Sequence, residues 1–274
     1  MSKGVLYIVA TPIGNLGDIT LRAIDILKKV DVVAAEDTRH TLKLLNHLQI
    51  SKPLISYYRH NEGIKSEIII NKLLNGENIA LVSDAGTPAI SDPGEELVKA
   101  AIENNIILIS LPGPTAAISG LIVSGISTKE FVFIGFLPTS AKLKKHKLEE
   151  LETENKTLIF YEAPHKVINT LEYIKKVFGD RNIAVCRELT KIHEEIIRGK
   201  ISDIILKLEN PKGEFVLVVE GNMNIKEKSN ILNDMTIEEH YKYYEKQGFP
   251  KKEIIKLIAK DKNVNKNEIY KKFI

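Results

Sequence analysis

The chain has 274 residues, 43% of them hydrophobic, and a formal net charge of +3. This length allows two domains of ordinary size, and no apolar run approaches the ~18–20 residues of a membrane span. The single cysteine, Cys186, excludes an internal disulfide and a pair of cysteine metal ligands, so we expect a cytoplasmic protein without metal or membrane binding.

The first 116 residues alternate short apolar runs with helix-like stretches. Helices are expected where apolar residues recur at helical spacing, at residues 18–29, 42–48, 66–74 and 94–104. Strands are expected at the continuously apolar runs, at residues 5–10, 30–35, 53–57, 79–83 and 106–111. This alternation is typical of βαβ units, and it predicts an N-terminal α/β domain, residues 1–116, with a mostly parallel sheet.

Residues 117–222 predict a second α/β domain with a mixed sheet of four or five strands. Helices are expected at residues 115–123, 142–154, 167–178 and 202–208. Strands are expected at residues 131–136, 157–161, 183–187 and 215–219, with a chain reversal at residues 191–199. Cys186 lies in one of these apolar strands, so a buried side chain is expected. The polar residues 221–233 are typical of a linker.

Residues 234–274 predict a small basic module of three short helices. Thr236 and Glu239 have the spacing of a capping box, Gly248 is expected to end the first helix, and Pro250 suits the first turn of the second. The third helix is expected at residues 266–274. The expected core of this module consists of Ile254, Leu257, Ile258, Val264, Ile269 and Phe273.

The positive charge of the chain is concentrated in this module. Residues 236–274 contain ten lysines against six acidic residues, whereas the preceding 235 residues contain 29 basic and 30 acidic ones. Two interpretations stay open: a packing appendage with a solvated lysine face, or a module that contacts nucleic acid.

Three predicted strands end in segments rich in glycine and proline, at residues 9–18, 82–88 and 111–116. In an open parallel sheet these ends meet at one edge, where such sheets bind ligands. None of them has the G-x-G-x-x-G pattern of a dinucleotide site, which makes a dehydrogenase the weakest interpretation. Each segment taken alone is also compatible with a plain turn, and Asp84 with a turn cap.

Together, in this order, these segments resemble the tetrapyrrole (corrin/porphyrin) methylase superfamily. The second of these segments matches over residues 81–94, beyond its glycine- and proline-rich part. Further matching segments are Ala35-Glu-Asp-Thr-Arg39, Tyr58-Arg-His-Asn-Glu62, Phe160-Tyr-Glu-Ala-Pro-His165 and Arg187-Glu-Leu-Thr-Lys191. The resemblance implies two α/β domains with S-adenosylmethionine bound between them. It implies cofactor contacts at Pro12, Ile13, Gly14, Asp84, Gly86, Thr87, Thr115 and Ala116, and near Tyr161, Arg187 and Phe215.

Within the superfamily, the segments at residues 35–39 and 58–62 match members that methylate rRNA. The resemblance implies 2′-O-methylation of a cytidine ribose in the decoding region of 16S rRNA, with the 30S subunit as partner, and a homodimer. The alternatives are another methyltransferase of this type, with a small-molecule or protein acceptor, and a non-enzymatic assembly factor.

The acceptor hydroxyl needs positioning and, because it is a very weak acid, a nearby base. The candidates are the polar residues after the second and third strands, which are expected in loops at the ligand edge of the sheet. We assign catalytic roles to Glu36, Arg39, Arg59 and Glu62, with Asp37 and His60 beside them. Glu36 is expected to accept or orient the hydroxyl, and Arg39 and Arg59 to hold the flanking phosphates. A structural ion pair between Arg39 and Glu36 or Asp37 is the alternative.

Overall fold

The computed structural model describes residues 2–223, 235–262, 264–270 and 272–273. The chain divides into one compact unit, Met1–Asn222, and a second unit, Met223–Ile274. The first unit contains two five-stranded sheets, as expected for its fold class. A boundary between domains at residue 116 stays a prediction.

The first sheet is parallel throughout and has the order β3-β2-β4-β1-β5. Its strands are β1 (Val5–Val9), β2 (Val32–Ala35), β3 (Leu54–Ser56), β4 (Ile79–Val82) and β5 (Ile107–Leu111). Its helices are α1 (Leu21–Lys29), α2 (Thr38–His47), α3 (Glu62–Leu74) and α4 (Glu95–Glu103). α1 and α2 cover one face, and α3 and α4 cover the other. Burial on both faces explains why β2 and β4 are apolar throughout, whereas the edge strands β3 and β5 are partly exposed.

Three helices of this half begin three or four residues away from their predicted starts, two of them because of their caps. α1 begins at Leu21, after a separate 3-10 turn, because the Thr20 side chain accepts a hydrogen bond from the backbone N–H of Ala23. α2 begins four residues earlier than expected, because Asp37 caps it in the same way. α3 begins at Glu62. Arg39 and Glu62 therefore lie in first helical turns, and the expectation that they lie in loops was wrong.

The second sheet is mixed and has the order β6-β7-β10-β8-β9. Its strands are β6 (Phe131–Phe136), β7 (Thr157–Glu162), β8 (Asn182–Arg187), β9 (Glu195–Lys200) and β10 (Phe215–Val219). Its helices are α5 (Ala116–Ser124), α6 (Ala141–Leu151), α7 (Val167–Phe178) and α8 (Ile201–Lys207). The edge strand β9 lies where only a chain reversal was expected. Cys186 is buried as predicted, and burial raises the pKa of its thiol to about 11.

One face of the second sheet packs on α6, α7 and α8, and the other packs on α5. The cluster under α5 also contains Ile13, from the loop after β1. This loop of the first half therefore inserts a buried side chain into the core of the second half, which fixes the two sheets relative to each other at this point.

The C-terminal unit contains α9 (Ile237–Lys246), α10 (Lys251–Asp261) and α11 (Lys266–Tyr270) among its described residues. The predicted capping box of Thr236 and Glu239 is present. The predicted core was wrong at Val264, which is 38% exposed, and at Leu257, which is not part of the cluster; the buried stripe of α10 includes Ile255 and Ala259 instead. Of the predicted linker, residues 224–233 lie outside the described residues. No described helix of the protein is long and apolar enough to cross a membrane.

Candidate active site

The three glycine- and proline-rich strand ends meet at the carboxyl edge of the first sheet, as predicted. Thr11 and Gly86 exchange two backbone hydrogen bonds of 2.8 and 3.0 Å, which join the first segment to the second. The Thr87 hydroxyl donates to the carbonyl of Pro114 at 3.1 Å, which joins the second to the third. Hydrogen bonds between the three segments therefore hold them together, and we call these three strand ends the cradle.

A cavity of about 400 Å³ opens between this edge and the second sheet. This volume is within the range of roughly 300–1,000 Å³ that is usual for small-molecule sites. Its walls come from both halves of the first unit. The lining consists of Ile13, Glu36, Asp84, Ala85, Gly86, Thr87, Ile90, Ser91, Asp92, Thr115, Ala116, Phe136, Tyr161, Glu162, Ala163, Pro164, Leu189, Glu214, Phe215 and Val216.

Most of the residues predicted to contact a cofactor are in this lining. They are Ile13, Asp84, Gly86, Thr87, Thr115 and Ala116, together with Tyr161 and Phe215 from the second half. The Tyr161 hydroxyl also accepts the backbone N–H of Ala117 at 3.1 Å, at the start of α5. The sequence therefore predicts the cradle well, and the cofactor contacts themselves stay predictions.

Three predicted contacts lie outside that lining. Pro12 lines a second, smaller cavity. Gly14 lies against the side chain of Lys191, and a Cβ atom at Gly14 would come within 2.3 Å of it. Arg187 donates to the carbonyl of Lys212 and pairs with Glu195. Gly14 thus allows the close approach of the two halves instead of facing the cavity.

The polar part of the lining is acidic. Five carboxylates line the cavity, and the lining contains no lysine, arginine or histidine among the described residues. Two of them are engaged elsewhere: Glu214 pairs with Lys191 at 2.9 Å, and Glu162 accepts the Thr170 hydroxyl at 2.5 Å. The remaining three are Glu36, Asp84 and Asp92. Such a cavity favours a cationic ligand and disfavours a phosphate-bearing one.

These three carboxylates affect one another's protonation. Burial and then the charge of Glu36 raise the pKa of Asp92 to about 6, against an opposing hydrogen bond from Ser83. Burial and then the charge of Asp84 raise the pKa of Glu36. Arg59 is close enough to lower the pKa of both groups. Raised carboxyl pKa values in a cleft are typical of functional sites.

The structure brings one of the four predicted catalytic residues, Glu36, into this lining. Arg39 pairs with Asp37 at 2.6 Å and is 87% exposed, so the alternative of an Asp37–Arg39 ion pair describes the contact that is present. Glu62 accepts the backbone N–H of Gly94 at 2.9 Å, and it therefore holds the start of α4. Arg59 is outside the lining, but its positive charge lies close enough to Glu36 to lower the pKa of that carboxyl.

Sequence reasoning missed part of the lining. The segment after Pro88 supplies Ile90, Ser91 and Asp92, and Ala89 and Ser91 each have a φ of +66°, which is unusual outside glycine. The strand end after Tyr161 supplies Glu162 and the two following residues. Both stretches were in the quoted motifs, so the motifs extended further into the site than the assigned residues did.

A second cavity of about 190 Å³ lies on the other side of the first loop. Asp84 lines both cavities. The other residues that line the second cavity are Thr11, Pro12, Leu16, His40, Lys43 and Leu44. Among the residues that the structure describes, no cluster of three metal-ligating side chains is present.

The sequence model of the tetrapyrrole (corrin/porphyrin) methylases matches residues 5–205. The chain belongs to this family of methylases. The crystal structure of the methyltransferase CobJ has the same fold, with a TM-score of 0.60 at 16% identity over 80% of this chain and 95% of that one.

Curated relatives are similar over 80% of the chain or more. The ribosomal RNA small subunit methyltransferase I of Halalkalibacterium halodurans is 48% identical over 98% of this chain and 94% of its own. The protein of that name from Bacillus subtilis is 49% identical over 97% and 93%, and the one from Synechocystis is 53% identical over 80% and 79%.

Proposed function

We propose that this family member transfers the methyl group of S-adenosylmethionine to the ribose 2′-hydroxyl of a cytidine in 16S rRNA. The observation that supports the donor is the acidic cavity of about 400 Å³ at the carboxyl edge of the first sheet. The relatives named for methylation of small-subunit rRNA support the acceptor.

The lining suits S-adenosylmethionine in its charge and in its mixture of apolar and polar side chains. Its sulfonium and ammonium groups are cations, which suit Glu36, Asp84 and Asp92. Apolar walls from Ile13 and Phe215 suit an adenosine ring, and threonine hydroxyls are available for its polar edges. When bound, the donor supplies an electrophilic methyl group on sulfur, so the protein need not generate one.

The protein's own task is to place the acceptor oxygen and to remove its proton. The ribose oxygen attacks the methyl carbon, the new O–C bond forms as the S–C bond breaks, and Glu36 takes the hydroxyl proton. The raised pKa of Glu36 makes it a better base than an ordinary carboxylate. Alignment of the two reacting atoms is worth roughly 7–11 kcal/mol of the barrier.

The arginines are proposed to hold the RNA backbone beside the reacting ribose. Arg39 is largely exposed even though it pairs with Asp37, so its guanidinium is accessible to a phosphate. Arg59 is placed to stabilise the Glu36 carboxylate and an approaching phosphate. Glu62 is proposed as a positioning residue, because its hydrogen bond to Gly94 fixes the segment that supplies Asp92.

The proposal is tested with labelled S-adenosylmethionine and 30S subunits from cells that lack the gene. We expect one ribose methyl group per subunit on 16S rRNA. Reverse transcriptase stops at a 2′-O-methylated nucleotide, and the position of this stop should identify a cytidine. Transfer to a protein or to a precorrin, and not to 30S subunits, would establish another acceptor.

Glu36→Gln tests the base. At saturating donor we expect a fall in kcat of about 10²–10⁴, and calorimetry should show weaker donor binding as well, because Glu36 also lines the donor cavity. The matched control is Glu103→Gln, which removes an exposed carboxylate at the far end of α4 and should leave kcat unchanged. Near-normal turnover of Glu36→Gln would refute the base assignment.

A further inference from the structure

The second cavity has the opposite chemistry to the donor cavity. Two of its lining residues, His40 and Lys43, are basic, and Pro12, Leu16 and Leu44 give it apolar walls. Its volume of about 190 Å³ is below the usual range for whole drug-sized ligands. It therefore suits a single ring system that belongs to a larger ligand better than it suits a macrocycle.

The basic character continues along α2, the helix that forms one wall. Residues Thr38–His47 include one arginine, one lysine and two histidines, and no acidic residue. His40 and Lys43 are three positions apart, so they lie on the same side of the helix, and both are exposed. An exposed basic helix face is suited to a polyanion.

Asp84 connects the two cavities. Asp84 lines both of them, and its carboxylate accepts a hydrogen bond from the backbone N–H of Asp37 at 3.0 Å, just before α2. A methyl transfer needs the two reacting atoms about 3–3.5 Å apart. Because the two cavities share this wall residue, a donor in one and an acceptor in the other would both lie next to Asp84.

We propose that the second cavity binds the acceptor nucleotide of single-stranded RNA. An unstacked base lies against the His40 ring and between Pro12 and Leu16, and Lys43 contacts a neighbouring phosphate. The ribose then lies at Asp84, next to the donor cavity. Stacking on an aromatic ring, histidine included, is the usual way in which proteins hold unpaired RNA bases. This inference rests on the proposed function.

The test compares His40→Ala, His40→Phe and Lys43→Gln in methyl transfer to 30S subunits that lack the modification. We expect His40→Ala to raise KM for the subunits by roughly 5- to 100-fold, as for loss of one stacked base. His40→Phe should retain a KM near that of the wild type, because a phenyl ring also stacks. Lys43→Gln should reduce the slope of log affinity against log salt by about 0.7, the value for one phosphate contact on a single strand.

Two matched controls change residues of the same types elsewhere. His146→Gln lies on α6, and Lys28→Gln lies in the last turn of α1; both residues are exposed and outside the two cavities. Neither should change KM or the salt slope. Affinity for S-adenosylmethionine, measured by calorimetry without RNA, should be unchanged in all five variants.

The outcomes separate this inference from the proposed function. If the wild type methylates 30S subunits but His40→Ala and Lys43→Gln do so with unchanged KM and salt slope, the nucleotide site is refuted and the function stands. If His40→Phe is as impaired as His40→Ala, the stacking role is refuted. If the wild type does not methylate 30S subunits at all, the function fails and the inference fails with it.

Discussion

Asp92 shows how a single residue can serve the site at the expense of the fold. Its pKa of about 6, against an ordinary 3.8, means that the folded protein holds this proton more tightly than the unfolded chain does. Wild-type stability therefore falls as pH rises from about 4 through 6. We predict that Asp92→Asn increases the free energy of unfolding by about 1–2 kcal/mol at pH 7.5, allowing for solvent screening.

Urea unfolding without ligand at pH 7.5 and at pH 3.5 measures this effect. At pH 3.5 the carboxyl is protonated in the folded state and mostly protonated in the unfolded state, so the variant and the wild type should be nearly equal. Asp25→Asn on the exposed side of α1 is the control and should change stability at neither pH. A variant that is less stable than the wild type at pH 7.5 would contradict the prediction. If the stabilised variant also binds the donor more weakly, the ionised Asp92 side chain serves donor binding despite its cost in stability.

At the scale of elements, a buried polar link joins α6, α7 and β7 behind the cavity wall. The Lys144 side chain is only 4% exposed, and its ammonium donates to the Thr170 hydroxyl at 2.8 Å. Thr170 in turn donates to Glu162, which lines the cavity. We predict that Thr170→Val destabilises the protein by about 3 kcal/mol or more, because a buried cation and a carboxylate lose their shared partner.

Thr170→Ser is the matched control, since it keeps the hydroxyl and removes one methyl group. It should cost about 1 kcal/mol. Denaturant unfolding of both variants distinguishes the hydroxyl from the packing. Equal costs for the two substitutions would show that the link contributes nothing beyond side-chain volume.

The elements also show what the sequence could predict and what it could not. The first-sheet strands are continuously apolar, so their positions were predicted to within two residues. The starts of α1 and α2 were not, because Thr20 and Asp37 act as caps and their side chains decide where the helix begins. β9 was missed because an edge strand with polar residues has little hydrophobic signal. Asp92 was missed because its role depends on Glu36, 56 positions away in the chain, coming close in space.

In the molecule as a whole, acidic and basic side chains are concentrated in different regions. The donor cavity is acidic, the exposed face of α2 beside it is basic, and residues 236–274 are basic in their overall composition. For residues 236–274, the sequence leaves two interpretations open: a packing appendage or a module that contacts RNA. The structure gives this unit its own core of isoleucine side chains, while the lysines of α10 remain on its outside. Its charge can therefore be changed without disturbing its packing.

We propose that this unit contacts the RNA backbone, and we predict the effect of removing three of its exposed lysines. Lys252, Lys256 and Lys260 lie on the outside of α10, and changing all three to glutamine should reduce the salt slope of 30S binding by about 2, at about 0.7 for each lost contact. The matched control changes Lys28, Lys29 and Lys207, which are exposed on helices of the first unit, and it should leave the slope unchanged. Deletion of residues 236–274 should weaken binding at least as much as the triple change. If the slope is the same with and without these lysines, the unit is a packing appendage, and phosphate contacts are confined to the first unit.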